Sequence, residues 1–437
     1  MRFVDQMAEK VASAVHFAKV EDVDSVLPER LERAGLNIRI PFCASRCTYC
    51  ALPGEVYNRK GADQFLSGLN REIELYSSRF HDVKVERIYF SGGTPSLLHG
   101  DIGGIVESVK EHFDFDGSVA MEAAPSDLDT EVLDSLHSAG VNQLSIGVQT
   151  FQESTLTMYL GRKSTRSDLI STLELAVRTG FDYVNIDLMF SLPGQTTESL
   201  ADDLETAVAT GVQGISTYPL MLLPYTPLTS KLGKGQSNHS GTSKSDPFIQ
   251  SPVKEKEQYL QIVGFLRDHG YRLRTLWSFS KDPEKYEGPY EHSDFVGMGP
   301  RAWGMLSNRF TLNVSSTASY VKSLVEGRIP ILAYSEVRDY PLARFARRLY
   351  YGKIDREELD VLKAQDRQLR KYVSLMRLLG LIVKEGEHYV LSDKALAYGS
   401  HATKKIAMTT LMRINEELGL AGTFPFADDG FVKVSPI

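Results

Sequence analysis

Every thiol of this 437-residue chain lies within eight residues. Cys43, Cys47 and Cys50 stand in the stretch IRIPFCASRCTYCALPG, from Ile38 to Gly54, and no other cysteine occurs. Three thiols cannot form a closed disulfide set, and a reducing compartment disfavours disulfides. Buried structural thiols would be scattered along the chain. A structural zinc site wants four N or S ligands, and the fourth would have to come from a distant histidine. A redox pair lacks the helix context of a C-x-x-C active site. An iron–sulfur cluster remains. Cubane clusters usually take four thiolates, so three leave one iron without a protein ligand. An open metal position marks a catalytic centre rather than a structural one. The odd count therefore points to the place where a substrate or cofactor binds.

Such a loop must be held by regular elements. Six β-rich stretches recur through the first half: 36–42, 85–93, 118–125, 141–148, 183–193 and 214–222. Apolar residues at helical spacing fill 62–80, and 130–140 and 166–181 run as helices towards a glycine. Alternating strand and helix predicts a parallel sheet with right-handed crossovers. The expected fold is α/β: a partial (β/α)6 barrel of TIM type, with a C-terminal α+β region and a winged-helix-like tail. In barrel folds chemistry gathers at the carboxyl ends of the strands, and the cysteine loop follows the first one. The expected organisation is an N-terminal helical extension (1–33), the barrel core (34–230), a polar Gly/Ser/Pro-rich insertion (231–252), an α+β substrate-side region (253–335) and the winged-helix-like domain (336–437).

Composition narrows the function classes. Apolar residues make up 42% and charged residues 24%, enough for a globular core. The net charge of -7 argues against a nucleic-acid partner, which calls for a basic face. The first thirty residues are broken by charges, unlike a signal peptide. No uncharged apolar run approaches the roughly 20 residues of a membrane span. A cytoplasmic protein without a membrane partner is the expectation. Arg344, Arg347, Arg348 and Lys353 cluster in ARFARRLYYGK, which reads as a solvated helix face or, secondarily, a partner surface.

Seven anchors in order then carry a resemblance: IPFCASRCTYC, YFSGGTPSLL, MEAAP, GVNQLSIGVQTFQ, LGR, NIDLMFSLPGQT and DFVGMG. Over roughly residues 34 to 400, by this pattern of motifs, the chain resembles the radical S-adenosylmethionine (SAM) family in its oxygen-independent coproporphyrinogen III oxidase-like branch. The resemblance implies that Cys43, Cys47 and Cys50 hold a [4Fe-4S] cluster. SAM would chelate its fourth iron and be cleaved to a 5′-deoxyadenosyl radical that abstracts hydrogen from an organic substrate. It further implies SAM contacts at Tyr49, Gly92, Gly93, Thr94, Glu122, Gln149, Arg162, Asp187 and Phe279. The chemistry suits a zwitterionic sulfonium. A carboxylate fits an ammonium or ribose hydroxyls, and a guanidinium fits a carboxylate in a two-pronged grip. Gly92 and Gly93 also suit an ordinary strand-to-helix turn. Asp187, in an apolar strand, needs a ligand or cation, and an internal pair with Arg162 is the alternative. Phe279, with Gly297 and Gly299, suits either the substrate side or plain core packing.

The chain also departs from that branch. Leu52 stands where the oxidases carry a further cysteine. CAL replaces the CDF of the haem-chaperone branch, and Asn37 and Arg39 replace a tyrosine and a histidine. The loop DPEKYEGPYEHSD (282–294) lacks that branch's HN-x-x-YW run. These differences leave three readings: a coproporphyrinogen oxidase-type enzyme, a methyltransferase or cyclopropane-forming enzyme binding two SAM molecules, and a haem chaperone. The substrate is a small molecule in each enzymatic version. A flavodoxin or ferredoxin would supply electrons, with Arg39 and Arg46 as a basic docking spot.

Overall fold

The computed structural model describes residues 2–13, 15–52, 54–234, 251–283, 285, 294–336 and 341–418. Most of the insertion expected at 231–252, and most of the loop 282–294, lie outside the described residues.

The first half alternates as its pattern requires. The parallel strands are β1 (Arg33–Ile40), β2 (Lys84–Gly92), β3 (Asp114–Ala123), β4 (Gln143–Gln149), β5 (Tyr183–Phe190) and β6 (Gly214–Pro219). They are hydrogen-bonded in chain order and staggered so that Ile40 meets Gly92 and Glu122 meets Ser145. Helices α2 (Arg59–Arg79), α3 (His99–His112), α4 (Thr130–Ser138), α5 (Arg166–Thr179) and α6 (Thr197–Ala209) make the crossovers. The sheet stays open rather than closing on itself.

Local chemistry sets the ends. Asn58 caps α2, accepting from the Gly61 N–H at 2.8 Å. Thr165 with Asp168, and Thr196 with Ser199, form reciprocal caps at α5 and α6. Gly180 ends α5 at φ 97°, a left-handed conformation that glycine adopts without strain. Sequence spacing marks α2, α4 and α5 but misses α3 and α6. The glycine pair 103–104 interrupts α3, and α6 turns a polar residue, Asp203, inward among Leu200, Leu204 and Ala207. Strand β3 begins four residues before its expected start, at Asp114, because Gly117 lets it press against β2. A Cβ there would lie 1.8 Å from the Glu86 carbonyl oxygen.

The segments after β6 extend the same sheet. Helix α7 (Pro252–Asp268) precedes two short strands beyond β6, Arg272–Thr275 and Ser278–Ser280. The chain then crosses to the other edge. Phe295–Met298 pairs in parallel with β1, and Trp303–Leu306, Arg309–Asn313 and Ile331–Glu336 continue antiparallel. Helix α8 (Thr317–Val325) packs on α2.

The tail runs α9 (Pro341–Tyr350), a strand Lys353–Asp355, α10 (Arg356–Gln365), α11 (Arg367–Leu378) and a hairpin of Ile382–Glu385 with His388–Leu391. Before its final described helix, the region expected as a winged-helix-like domain thus holds three helices, a lone strand and a hairpin. The last helix, α12 (Asp393–Glu417), returns to pack on α7 and on the first helix, α1 (Arg2–Ala12). Among the described residues, no helix is long and apolar enough to cross a membrane.

Candidate functional site

The cysteine loop is an arch with tied feet. Phe42–Cys43 pairs in parallel with Glu55–Val56, and the Tyr57 N–H donates to the Cys43 carbonyl at 3.0 Å. Inside the arch the Cys50 N–H donates to the Cys47 carbonyl at 3.3 Å, and the Gly54 N–H donates to Cys43 Sγ at 3.3 Å. Two glycines wall that sulfur. A Cβ on Gly54 would lie 2.9 Å from it, and one on Gly93 would lie 3.0 Å from it. The three cysteines are half-buried and form no disulfide. Burial raises the Cys43 thiol, against the pull of the Gly54 N–H and the Thr94 hydroxyl. Burial likewise pushes Cys50 up to about 11. Bare thiolates are therefore disfavoured here, whereas a bound metal deprotonates a thiol outright. Among the described residues, no group of three or more His, Cys, Asp or Glu side chains, these three cysteines included, is gathered closely enough to hold a single metal ion. The donor set is thus three soft thiolates, glycine-walled on one side, with a backbone N–H aimed at one sulfur. That set suits an iron–sulfur cluster with one iron left open.

The arch roofs a cavity of about 150 Å³ at the carboxyl ends of β1 to β5, lined by all three cysteines and Tyr49. Gly92, Gly93 and Thr94 reach it from the end of β2, Glu122 from β3, Gln149 from β4 and Asp187 from β5, with Arg162 closing one side. Eight of the nine SAM-site positions expected from the resemblance, Tyr49, Gly92, Gly93, Thr94, Glu122, Gln149, Arg162 and Asp187, thus meet the three cysteines around one space.

Two acids form the floor. Glu122 accepts from the Tyr89 hydroxyl at 3.1 Å and the Gly92 N–H at 3.2 Å, and burial raises its pKa. Asp187 accepts from the Ser145 hydroxyl at 3.3 Å and Asn185 Nδ2 at 3.2 Å. Burial, then the charge of Glu122, pushes Asp187 up to about 7. No ion pair joins Asp187 to Arg162; the guanidinium donates instead to the Gly147 carbonyl. Burial works against the Arg162 charge, but the acidic groups of Tyr49, Cys47 and Cys50 outweigh it and the net shift is upward. One side of the space is anionic and the other cationic, which is the polarity a zwitterion needs.

The arc carrying Gln149 and Arg162 is clamped at both ends. Gln149 leaves β4 at φ 75°, a left-handed conformation that costs a side-chain-bearing residue of order 1 kcal/mol. Asp203 of α6 holds the next turn, accepting from Thr150 Oγ1 at 2.7 Å and the Phe151 N–H at 2.8 Å. Gln152 and Arg166 both bond Asp202 beside it. At the far end a π-helical turn, Leu156–Leu160, reaches the cysteine loop. The Thr48 N–H donates to the Leu160 carbonyl at 3.3 Å, and the Thr48 hydroxyl donates to that of Tyr159. A crevice of about 630 Å³ runs along this arc, and Cys47 and Arg162 line it as well as the cavity.

Three expectations meet a different structure. Phe279 does not line the cavity. It pairs with Ile215 at the far edge of the sheet, 2% exposed, because its strand turns Ser278 and Ser280 one way and Phe279 into the core. Gly297 and Gly299 face protein rather than an open site; a Cβ on either would lie 2.4 Å from backbone oxygen, of Trp303 and Arg39 respectively. Arg39 is 7% exposed and donates to the Leu52 carbonyl at 2.8 Å, so it is no docking spot for a protein. Sequence reading missed Ser145, Gly147 and Asn185. Counting back in twos from Gln149 and Asp187 along their strands would have found them.

Residues 37–207 match the Radical SAM superfamily. The haem chaperone HemW of Bacillus subtilis is 28% identical over 307 residues, spanning 69% of this chain and 78% of its own. Anaerobilin synthase of Escherichia coli O157:H7 is 29% identical over 304 residues, spanning 68% and 66%. Oxygen-independent coproporphyrinogen III oxidase of Escherichia coli K12 is 26% identical over 318 residues, spanning 68% and 66%. The solved coproporphyrinogen III oxidase (HemN) from Escherichia coli shares the fold, with a TM-score of 0.69 at 21% identity over 88% of this chain and 91% of that one. Residues 37–207 therefore carry a radical SAM domain, and the chain is homologous to coproporphyrinogen III oxidase and haem-chaperone proteins.

Proposed function

We propose that this chain is a radical SAM enzyme in which Cys43, Cys47 and Cys50 hold a [4Fe-4S] cluster and the cavity beneath them holds SAM for hydrogen abstraction from a tetrapyrrole-like substrate. The carrying observation is that the three thiols, two buried acids and a buried guanidinium share one small space. When bound, cluster and SAM together supply one-electron cleavage of a carbon–sulfur bond and a carbon centre that takes hydrogen. The chain does the rest. Arg162 orients a carboxylate, Glu122 and Asp187 take an ammonium or hydroxyl groups, and Gly92 and Gly93 keep backbone close to the ligand. Asp187, poised at about 7 in the ligand-free protein, gives up its proton when a cation settles beside it. Relatives named anaerobilin synthase and oxygen-independent coproporphyrinogen III oxidase support the substrate class.

The test is anaerobic reconstitution with iron and sulfide, then dithionite and SAM. The proposal expects a brown protein that forms 5′-deoxyadenosine. A colourless or zinc-loaded product refutes it. Formation of S-adenosylhomocysteine alongside, with an acceptor present, sharpens the reading to methyl transfer.

The relatives named haem chaperones favour a second reading, a protein that binds haem for delivery. Haem titration decides it: a stoichiometric Soret band with no 5′-deoxyadenosine supports delivery, and no band removes it.

A further inference from the structure

Three guanidiniums converge on the Cys50 side of the cavity, and the binding roles assigned above use none of them. Arg46 lines the cavity beside Cys47. Arg39, near the end of β1, holds Leu52, another lining residue, through its carbonyl. Arg301 arrives from far along the chain. It stands in the turn after Phe295–Met298, the strand that runs parallel with β1. That turn therefore lies at the carboxyl end of the sheet, against Arg39, whose carbonyl oxygen a Cβ on Gly299 would meet at 2.4 Å. Arg39, Glu55, Arg46 and Cys50 all lie within electrostatic reach of the Arg301 side chain.

The turn is built to hold Arg301 there. Buried Glu72 accepts from the Gly299 N–H at 2.8 Å, Asn313 Nδ2 donates to the Gly299 carbonyl at 3.0 Å, and the Arg301 N–H donates to the Val314 carbonyl at 2.9 Å. So tied, Arg301 takes φ 57°. A side-chain-bearing residue keeps this left-handed conformation only where its surroundings impose it, and such residues gather at functional sites. Burial, then the Arg39 charge, pushes Arg301 down to about 10, against the pull of Glu55. Glu55 is the carboxylate among those four neighbours, and it already accepts from the Thr317 N–H at 2.9 Å. Three cations beside one carboxylate, on a chain whose net charge is -7, favour an incoming anion. A forked guanidinium removed from water matches a carboxylate best.

We infer that Arg301 and Arg46, backed by Arg39, form a subsite for a carboxylate arm of the substrate. The inference deepens the function proposed above and rests on it for the substrate class. Holding one acidic arm here decides which part of the substrate faces the space beneath the cysteines. Arg162, on the β4 side, stays with the carboxylate of SAM.

The probes are coproporphyrin III, a polycarboxylate, and its fully esterified form, which is uncharged. Binding to the reconstituted protein is read from the Soret shift, without SAM. The wild-type protein should bind the acid more tightly than the ester, and the acid more weakly as salt rises. Arg301→Gly suits the left-handed backbone, and Arg301→Gln keeps much of the side chain without its charge. Each should bind the acid about tenfold or more weakly, the worth of a charged hydrogen bond, with a flatter salt dependence and unchanged ester binding. Arg301→Lys should recover part of the loss. Iron per chain should match the wild type in all three, which shows the cysteine loop intact. Equal binding of acid and ester by the wild type overturns the inference. So does unchanged acid affinity in both charge-removing variants, or an equal loss of acid and ester. A protein that binds the acid through Arg301 yet forms no 5′-deoxyadenosine with dithionite and SAM supports the subsite and refutes the enzymatic reading.

Discussion

Among the carboxylates the molecule buries, Glu72 and the cavity pair Glu122 and Asp187 differ in their surroundings. Glu72 on α2 is fully buried. It accepts from the Tyr320 hydroxyl at 2.6 Å, the Gly299 N–H at 2.8 Å and Asn313 Nδ2 at 3.1 Å. Glu122 and Asp187 have two donors each, all at 3.1 to 3.3 Å, and face a cavity. Burial pushes both Glu72 and Asp187 up to about 7. The same shift therefore has two meanings. Glu72 spends its bonding capacity on protein, tying α2 to α8 and to the turn after Phe295–Met298. The cavity pair keeps capacity in reserve for a ligand. Perturbed titration locates a buried acid, and the donor count tells whether it is a fastener or a binding group.

The comparison can be broken by mutation. The largest effect is expected at the roof of the cavity. Cys43→Ala, Cys47→Ala or Cys50→Ala should abolish iron retention and SAM cleavage, read as iron per chain and 5′-deoxyadenosine. Next, Asp187→Asn and Glu122→Gln should each lower SAM cleavage by about 10- to 100-fold, the worth of one charged hydrogen bond, while leaving thermal stability unchanged or higher. Glu72→Gln should do the opposite. It sets an amide donor against at least one of the three donors, Asn313 Nδ2 in the better orientation, and should cost about 2–4 kcal/mol of stability, seen in denaturant unfolding, with cleavage per folded molecule nearly intact. A cavity variant that unfolds the protein, or a Glu72 variant that stays stable and loses activity, would dissolve the distinction.

Titration sharpens it. A carboxyl with a raised folded pKa holds its proton more tightly folded than unfolded. Its relative stabilisation is complete below the unfolded value and is lost as pH rises through the folded one. For Glu72 that window runs from the ordinary carboxyl value of 4.5 to about 7, and Glu72→Gln should flatten the stability profile across it. For Asp187 the ligand adds a second effect. SAM affinity should rise with pH up to about 7 and level off, and Asp187→Asn should remove that rise. The smallest effect is expected at Asp203, which touches only the turn after Gln149. Asp203→Asn should raise the KM for SAM a few-fold, about 1 kcal/mol, with little change in kcat.

Much of this was legible in the sequence because it is local. The cysteine spacing, the six apolar runs and the helices that end at a glycine each act within a few residues. The floor residues were found because their motifs follow strand ends. What escaped needs partners far along the chain. Asp203 looks like one more polar residue of an amphipathic helix until the turn 53 residues earlier lies against it. Phe279 carries a motif-like context, yet its role follows from which way one three-residue strand faces. Arg39 looks like a surface base until Phe295–Met298 covers β1.

Helices α1 and α12 are clasped. Helix α1 buries Val4 and Ala8 against Ala402, with Tyr398 and Ile406 beside them. Glu417 accepts from the Phe17 N–H, Lys405 binds Glu9, and Ala18–Lys19 pairs with the strand that closes the sheet edge. Helix α1 therefore has no seat until residues near 400 are in place. Its apolar face stays without a partner while the intervening residues are synthesised, and its burial depends on α12 being present.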